Sequence, residues 1–258
     1  MTIFKPKLSV ASVLLLTITP TPLLATDTNL SNLETQQVVY KISDTDLKDK
    51  LELSKAYLFG QGKEQDVEQG FSMLLELSLQ GYAEAQSDLA ELFVFSIQDD
   101  KEAVKWYRKA AEQGHADAQH NLGTMYNQGK GVPKNDKEAV KWYRKAAEQG
   151  HAEAQFQLGL MHTYGVGVLE NHKKGLSWLR KAAEQEHATA QKLIGTMYVL
   201  GLGTPQNKTK AYMWFALSKY NGDKEASELM NNSLMNSINI DEAQRMAQQC
   251  LDSNYKDC

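Results

Sequence analysis

The stretch KEAVKWYRKAAEQGHADAQ, from Lys101 to Gln119, returns 36 residues later as KEAVKWYRKAAEQGHAEAQ, from Lys137 to Gln155. The nineteen positions hold one difference, Asp117 against Glu153. A chemical site is assembled once in a chain, whereas a segment written twice belongs to architecture. With Gln86, Gln119, Gln155, Gln191 and Ser227 as repeat ends, the steps are 33, 36, 36 and 36 residues. Periods in this range signal stacked repeats rather than one closed core. The five repeats run 51–86, 87–119, 120–155, 156–191 and 192–227. Residues 26–50 are read as a spacer and capping helix, in which Leu30, Leu33 and Val38 supply the apolar face, and 228–258 as C-terminal capping helices and tail.

Each repeat describes two helices. In the first, the third position reads Leu53, Leu89, Leu122, Leu158, Ile194, and the fourth is small: Ser54, Ala90, Gly123, Gly159, Gly195. The seventh reads Tyr57, Phe93, Tyr126, His162, Tyr198. At about 100° per residue these positions share one inward face. Gly60/Gly62, Gly129/Gly131, Gly165/Gly167 and Gly201/Gly203 then mark the turns. They follow helices rather than strands and lack a third glycine, which argues against a phosphate loop. The second repeat has lost three residues at this point, and its "FSIQDD" predicts a tighter or irregular turn.

The second helix opens on capping boxes, Asp99 with Glu102 and Asn135 with Glu138. Ala139, Tyr143, Ala146 and Ala147 form its inward stripe with Trp142 at the edge, and Lys141, Arg144, Lys145 and Glu148 its solvated face. Only five prolines, with abundant Ala, Gln, Glu, Lys and Leu, agree with helix throughout.

The pattern L-G-x-M-Y-x-x-G-x-G-V followed by K-E-A-V-K-W-Y-R-K-A-A-E-Q-G-H-A-x-A-Q resembles the Sel-one-like (Sel1) repeat, a relative of the tetratricopeptide repeat. The likeness is densest in 120–155, clear in 156–191 and looser elsewhere, and KAYMWFALSKYNGDKEAS with NIDEAQRMAQQCL is similar to the closing segment of bacterial members. It implies an all-α fold, a right-handed α-solenoid of helix-turn-helix repeats, and a role in holding protein or peptide partners. Some cysteine-rich members have been regarded as acting on β-lactams. Those carry a cysteine pair in each repeat, and this chain has none in 51–227. A β-lactam- or cell-wall-acting hydrolase is the alternative reading.

Lys5 and Lys7 precede an apolar run from Leu8 to Ile18, and "LLA" ends at Ala25. That order predicts a signal peptide over 1–25, a mature chain from about Thr26 and export to the periplasm or beyond. The run is too short for a comfortable membrane span. Without Lys5 and Lys7 the net charge moves from −4 to −6, which disfavours nucleic acid as partner. Cys250 and Cys258 could pair in an oxidising compartment, or stay as one packed cysteine and one tail thiol.

Chemistry is sparse. His115, His151 and His187 recur at one position, but stacked repeats separate equivalent atoms by roughly a helix diameter, about 10 Å. They are read as structural residues at a helix junction, with no metal and no cofactor. Ser253-Asn-Tyr-Lys256 matches S-x-x-K without its companion motifs, so no catalytic residues are assigned. First-helix positions one, five and eight form a second stripe that varies between repeats: Leu51, Lys55 and Leu58 in the first, then Ser87, Glu91 and Val94. The central and later copies give His120, Thr124, Asn127, Phe156, Leu160, Thr163, Lys192, Thr196 and Val199. The equivalent stripe lines the concave surface of TPR-like solenoids. Of these, His120, Thr124, Asn127, Phe156, Leu160, Thr163, Lys192 and Thr196 are the candidate contacts of a monomeric, non-catalytic adaptor for a protein or peptide.

Overall fold

A computed structural model describes residues 44–62, 64–231, 238–256 and 258. The expected signal peptide and the capping helix around Leu30, Leu33 and Val38 lie outside the described residues. The described residues form twelve α-helices and no strand, and the chain divides into two compact units, Met1–Asp99 and Asp100–Cys258.

The first unit holds α1 (Asp44–Phe59), α2 (Val67–Leu79) and α3 (Ala83–Leu92). A Cβ on Gly70 would meet the Ser54 carbonyl and the Leu58 nitrogen at 2.8 Å, so α1 and α2 touch backbone to backbone. That contact turns Leu51 and Leu58 inward. Both hold variable-stripe positions, yet they are core, and Leu53 is the half-exposed residue. α3 winds directly into a π-helical turn at Phe93–Ile97, closed by Gln98 at φ 63 and by the Asp99 N–H on the Phe93 carbonyl at 2.9 Å. A wider turn of helix thus absorbs the three missing residues that elsewhere supply the Gly-x-Gly bend.

The second unit runs through α4 (Asp100–Glu112), α5 (Ala116–Gln128), α6 (Asp136–Glu148), α7 (Ala152–Tyr164) and α8 (His172–Ala183). It continues with α9 (Ala188–Leu200), α10 (Lys208–Tyr220), the short α11 (Ala226–Met230) and α12 (Ile240–Asp252). Each helix from α4 to α10 packs on the next, and α11 and α12 both pack on α10. The small fourth positions work as expected. A Cβ on Gly159 would sit 2.8 Å from Leu179 Cγ, and one on Gly195 would sit 2.6 Å from the Phe215 ring. α6 buries Ala139, Val140, Tyr143, Ala146 and Ala147. Trp142, expected at the edge of that stripe, is only 4% exposed and belongs to the core, while Lys145 covers its ring at 4.4 Å.

Helix ends are satisfied by the same groups in successive repeats. The Asn135, Asn171 and Asn207 side chains accept the N–H of Glu138, Lys174 and Lys210. The reciprocal half of the capping box is unnecessary, because the Asn135 N–H already donates to the Tyr126 carbonyl at 2.9 Å. Buried glutamines link repeat to repeat: Gln155 donates to the Ala147 carbonyl at 3.1 Å and accepts from Gln185 at 2.8 Å. At the end of the chain Asn221 takes over, donating to Gln191 at 3.0 Å and to the buried Tyr255 hydroxyl at 2.8 Å. Cys250 and Cys258 are joined in a disulfide, with Cα atoms 5.0 Å apart, which closes the tail around Tyr255.

Candidate groove on the first helices

The recurrent histidines set the geometry of the face where the variable stripe lies. His151 and His187 cap α7 and α9: their Nδ1 atoms accept the N–H of Ala154 and Ala190, both at 3.1 Å. The proton therefore sits on Nε2, which approaches a carboxylate of the preceding repeat, Asp117 at 3.2 Å and Glu153 at 2.9 Å. The hydrogen bond from His187 holds the Glu153 carboxyl down to about 2, against the burial that would raise it. Position one then stacks on this histidine. His120 lies 4.8 Å from the His151 ring and Phe156 4.5 Å from the His187 ring. Burial, followed by the neighbouring His151, pushes the His120 imidazole below its ordinary value.

Phe156, stacked on His187, lines a groove of about 510 Å³. Leu160, Leu193 and Leu229 extend the apolar floor, and Thr189, Lys192, Thr196, Glu225 and Glu228 surround it. The Lys192 ammonium is held 2.8 Å from both Asp223 and Glu225. Burial works against its charge, but these two hydrogen bonds outweigh it and keep its pKa above the ordinary lysine value. α7, α9 and α11 supply the wall residues, together with Glu225, the residue that precedes α11.

Of the sequence-predicted contacts, the structure brings Phe156, Leu160, Lys192 and Thr196 together. The other four stand apart from the groove. His120 is stacked on His151, and the Thr124 hydroxyl lies 3.0 Å from the Tyr143 hydroxyl. Asn127 donates to Asp136 at 2.9 Å. Thr163 is 2% exposed and donates to the Gly159 carbonyl at 2.9 Å, so it is a packing residue. Its neighbour Gly175 explains this burial, because a Cβ there would collide with the Thr163 hydroxyl. The groove opens from α7 toward α9 and the end of the chain rather than back toward α5. Sequence reasoning missed Thr189, Leu193, Glu225, Glu228 and Leu229. The amphipathic run after Lys224 was the signal for the last three, but it was read only as a cap.

The S-x-x-K residues, Ser253 to Lys256, follow α12. The Ser253 hydroxyl donates to the Cys250 carbonyl at 2.9 Å, at the C-terminal end of α12. Among the described residues no three His, Cys, Asp or Glu side chains gather in a way that could hold a metal ion. None of the described helices is long and apolar enough to cross a membrane.

Comparison with known proteins agrees with this architecture. The family model described as Sel1 repeat matches residues 51–82, 83–115, 116–151, 152–187 and 188–223. A solved Sel1 repeat protein from Oxalobacter formigenes is 30% identical with a TM-score of 0.67, over 79% of this chain and 86% of that one. A protective antigen present in uropathogenic Escherichia coli strains, which displays an SLR fold, is 28% identical with a TM-score of 0.51. That match covers 81% of this chain and 55% of the antigen. An uncharacterized protein of Neisseria meningitidis serogroup B is 38% identical over 84 residues, which is 33% of this chain. The match spans only 18% of that curated relative's length. Five matched repeats covering most of the chain, on a helical-repeat solenoid, make this protein a member of the Sel1 repeat family.

Proposed function

We propose that the protein is an exported, non-catalytic adaptor that holds a segment of a partner protein in the groove between α7, α9 and α11. Sel1 repeats are protein-interaction modules, which sets the class of activity. The observation that carries the finer reading is the groove itself: Phe156, Leu160, Leu193 and Leu229 leave an apolar floor open to solvent, with threonines and charged groups at its border. An apolar centre inside a polar rim is the composition of a binding hot spot. Export is supported by Lys5 and Lys7 ahead of the apolar run Leu8–Ile18, and by the Cys250–Cys258 disulfide, a bond that persists in oxidising compartments.

The test is a comparison of captured proteins. Wild type and Thr196→Trp, whose indole would fill the groove, are used as bait in an envelope extract. Proteins retained by the wild type and lost by the variant, at equal melting temperature, support the reading. Identical captures sink it. The mass of the protein recovered from the exported fraction checks cleavage near Thr26 in the same preparation.

A further inference from the structure

The turns joining first to second helices change character along the second unit. Residues 128–138 carry Lys130, Lys134 and Lys137 against Asp136 and Glu138, and Lys134 lies 3.8 Å from Asp136. The corresponding segments 164–174 and 200–210 together carry Lys173, Lys174, Lys208 and Lys210 against Glu170 alone. Glu170 is already engaged, 3.1 Å from His172. Lys210 lies over the Tyr198 ring at 5.8 Å, and none of the four lysines has an ion-pair partner among the described residues. All four sit in or beside the first turns of α8 and α10, which hold no acidic residue. Cations there oppose the helix dipole, so the helix starts themselves do not call for them.

The same turns expose apolar side chains. Leu169 is 91% exposed, Tyr164 62% and Leu200 60%. The two turns form one continuous edge, because Gly203 lies against the backbone of α8's first residues. A Cβ on it would meet the His172 carbonyl at 2.6 Å and the Lys173 nitrogen at 2.9 Å.

We infer that this edge docks on an anionic lipid bilayer. Unpaired lysines are drawn to lipid phosphates and acidic headgroups, while short apolar and aromatic tips settle at the boundary between headgroup and acyl chain. Lysines alone would suit any polyanion; the projecting Leu169, Leu200 and Tyr164 single out an interface with an apolar layer beneath it. The chain as a whole is acidic, at −4, so a cluster of unpaired lysines on one edge would orient the molecule on the surface. The edge is separate from the groove, and this inference stands whether or not the groove binds a peptide.

The experiment is flotation of the protein purified from the exported fraction with vesicles of phosphatidylglycerol and phosphatidylcholine, against phosphatidylcholine alone. Preference for the anionic vesicles, weakening as salt rises, is the expected result. Reversal of Lys173, Lys174, Lys208 and Lys210 to Glu should lower the bound fraction at least about tenfold. Lys141→Glu with Lys145→Glu, on α6, should leave it unchanged. Leu169→Ser, at a side chain that packs on almost nothing, should weaken binding at constant charge and cannot act by unfolding the protein. All variants are compared in the exported form, with the N-terminus fixed by intact mass, so that the apolar run Leu8–Ile18 does not mask the edge. Equal flotation on both vesicle types, or an unchanged quadruple variant, would overturn the inference. So would binding to polyglutamate that exceeds binding to the vesicles, which would point to an acidic protein instead.

Discussion

His187 ties two repeats together: its Nδ1 accepts the Ala190 N–H at 3.1 Å, and its Nε2 lies 2.9 Å from the Glu153 carboxylate. His151 makes the same pair of contacts with Ala154 and Asp117. The single difference between the two nineteen-residue copies therefore falls on the group that receives the next repeat's capping histidine. Either carboxylate can reach, so the position tolerates drift that the packed positions do not.

Acid stability follows from this contact. The Glu153 pKa is depressed from its ordinary value to about 2, chiefly by the His187 hydrogen bond. A depressed carboxylate stabilises the fold above its unfolded pKa, and that stability is lost as pH falls through the folded value. The window is therefore about pH 4.5 down to about 2. The shift corresponds to about 3 kcal/mol at most. The side chain is 42% exposed, and solvent screening brings the contribution to about 1 kcal/mol. Glu153→Gln should thus melt lower than the wild type at pH 6, with the gap closing toward pH 2. A gap independent of pH would mean the carboxylate charge contributes nothing.

Gly159→Leu tests the helix contact. The added side chain would begin 2.8 Å from Leu179 Cγ and 3.2 Å from the Leu179 backbone nitrogen, and backbone cannot step aside as a side-chain tip can. Overpacking of this kind costs about 1–3 kcal/mol or more. Thermal melts of the variant and wild type decide it, and an unchanged midpoint would show that α7 and α8 can separate freely.

The repeats were legible in the sequence because packing repeats. Leu122, Leu158 and Ile194 are buried as their spacing requires, and Gly123, Gly159 and Gly195 meet the following helix at the expected position. The ends were harder to read. Leu51 and Leu58 carry the numbering of the variable stripe, yet the α1–α2 contact through Gly70 buries them. Four of the nine groove residues, Phe156, Leu160, Lys192 and Thr196, were visible, since one helical face follows from periodicity. Glu225, Glu228 and Leu229 come from α11 and the residue before it, and no periodic rule says which face of the preceding repeats a capping helix will cover.

The tail offers a third measurement. Cys250 and Cys258 close a short loop around the buried Tyr255, whose hydroxyl ends the chain of side-chain amides through Asn221. Closing a loop of this length stabilises by about 2–3 kcal/mol through the unfolded chain. Cys258→Ser should lower the melting midpoint accordingly, and a reducing agent should lower the wild type to the variant's value while leaving the variant unmoved. A variant that still responds to reductant would place the redox effect elsewhere.

The groove is where the functional reading is most exposed to refutation. Phe156 and Leu160 lie one turn apart on α7 and both face the 510 Å³ groove, whereas Leu158 between them is fully buried in the stack. Replacing Phe156 and Leu160 by Ala removes the floor without emptying the core. The stacking of Phe156 on His187 is lost as well, so some stability should go with it. Such aromatic pairs add about 0.5–1.5 kcal/mol beyond their buried area. Leu158→Ala removes a core side chain, and such truncations cost about 2–5 kcal/mol. The double variant should therefore melt above Leu158→Ala while its partner affinity falls by more than about 2 kcal/mol, the scale of a hot-spot residue. Melting curves beside a quantitative pull-down separate the outcomes. Normal binding by the double variant would end the groove reading. A double variant that unfolds as readily as Leu158→Ala would make Phe156 and Leu160 part of the core, with the threonines and charges around them serving only as its solvent boundary.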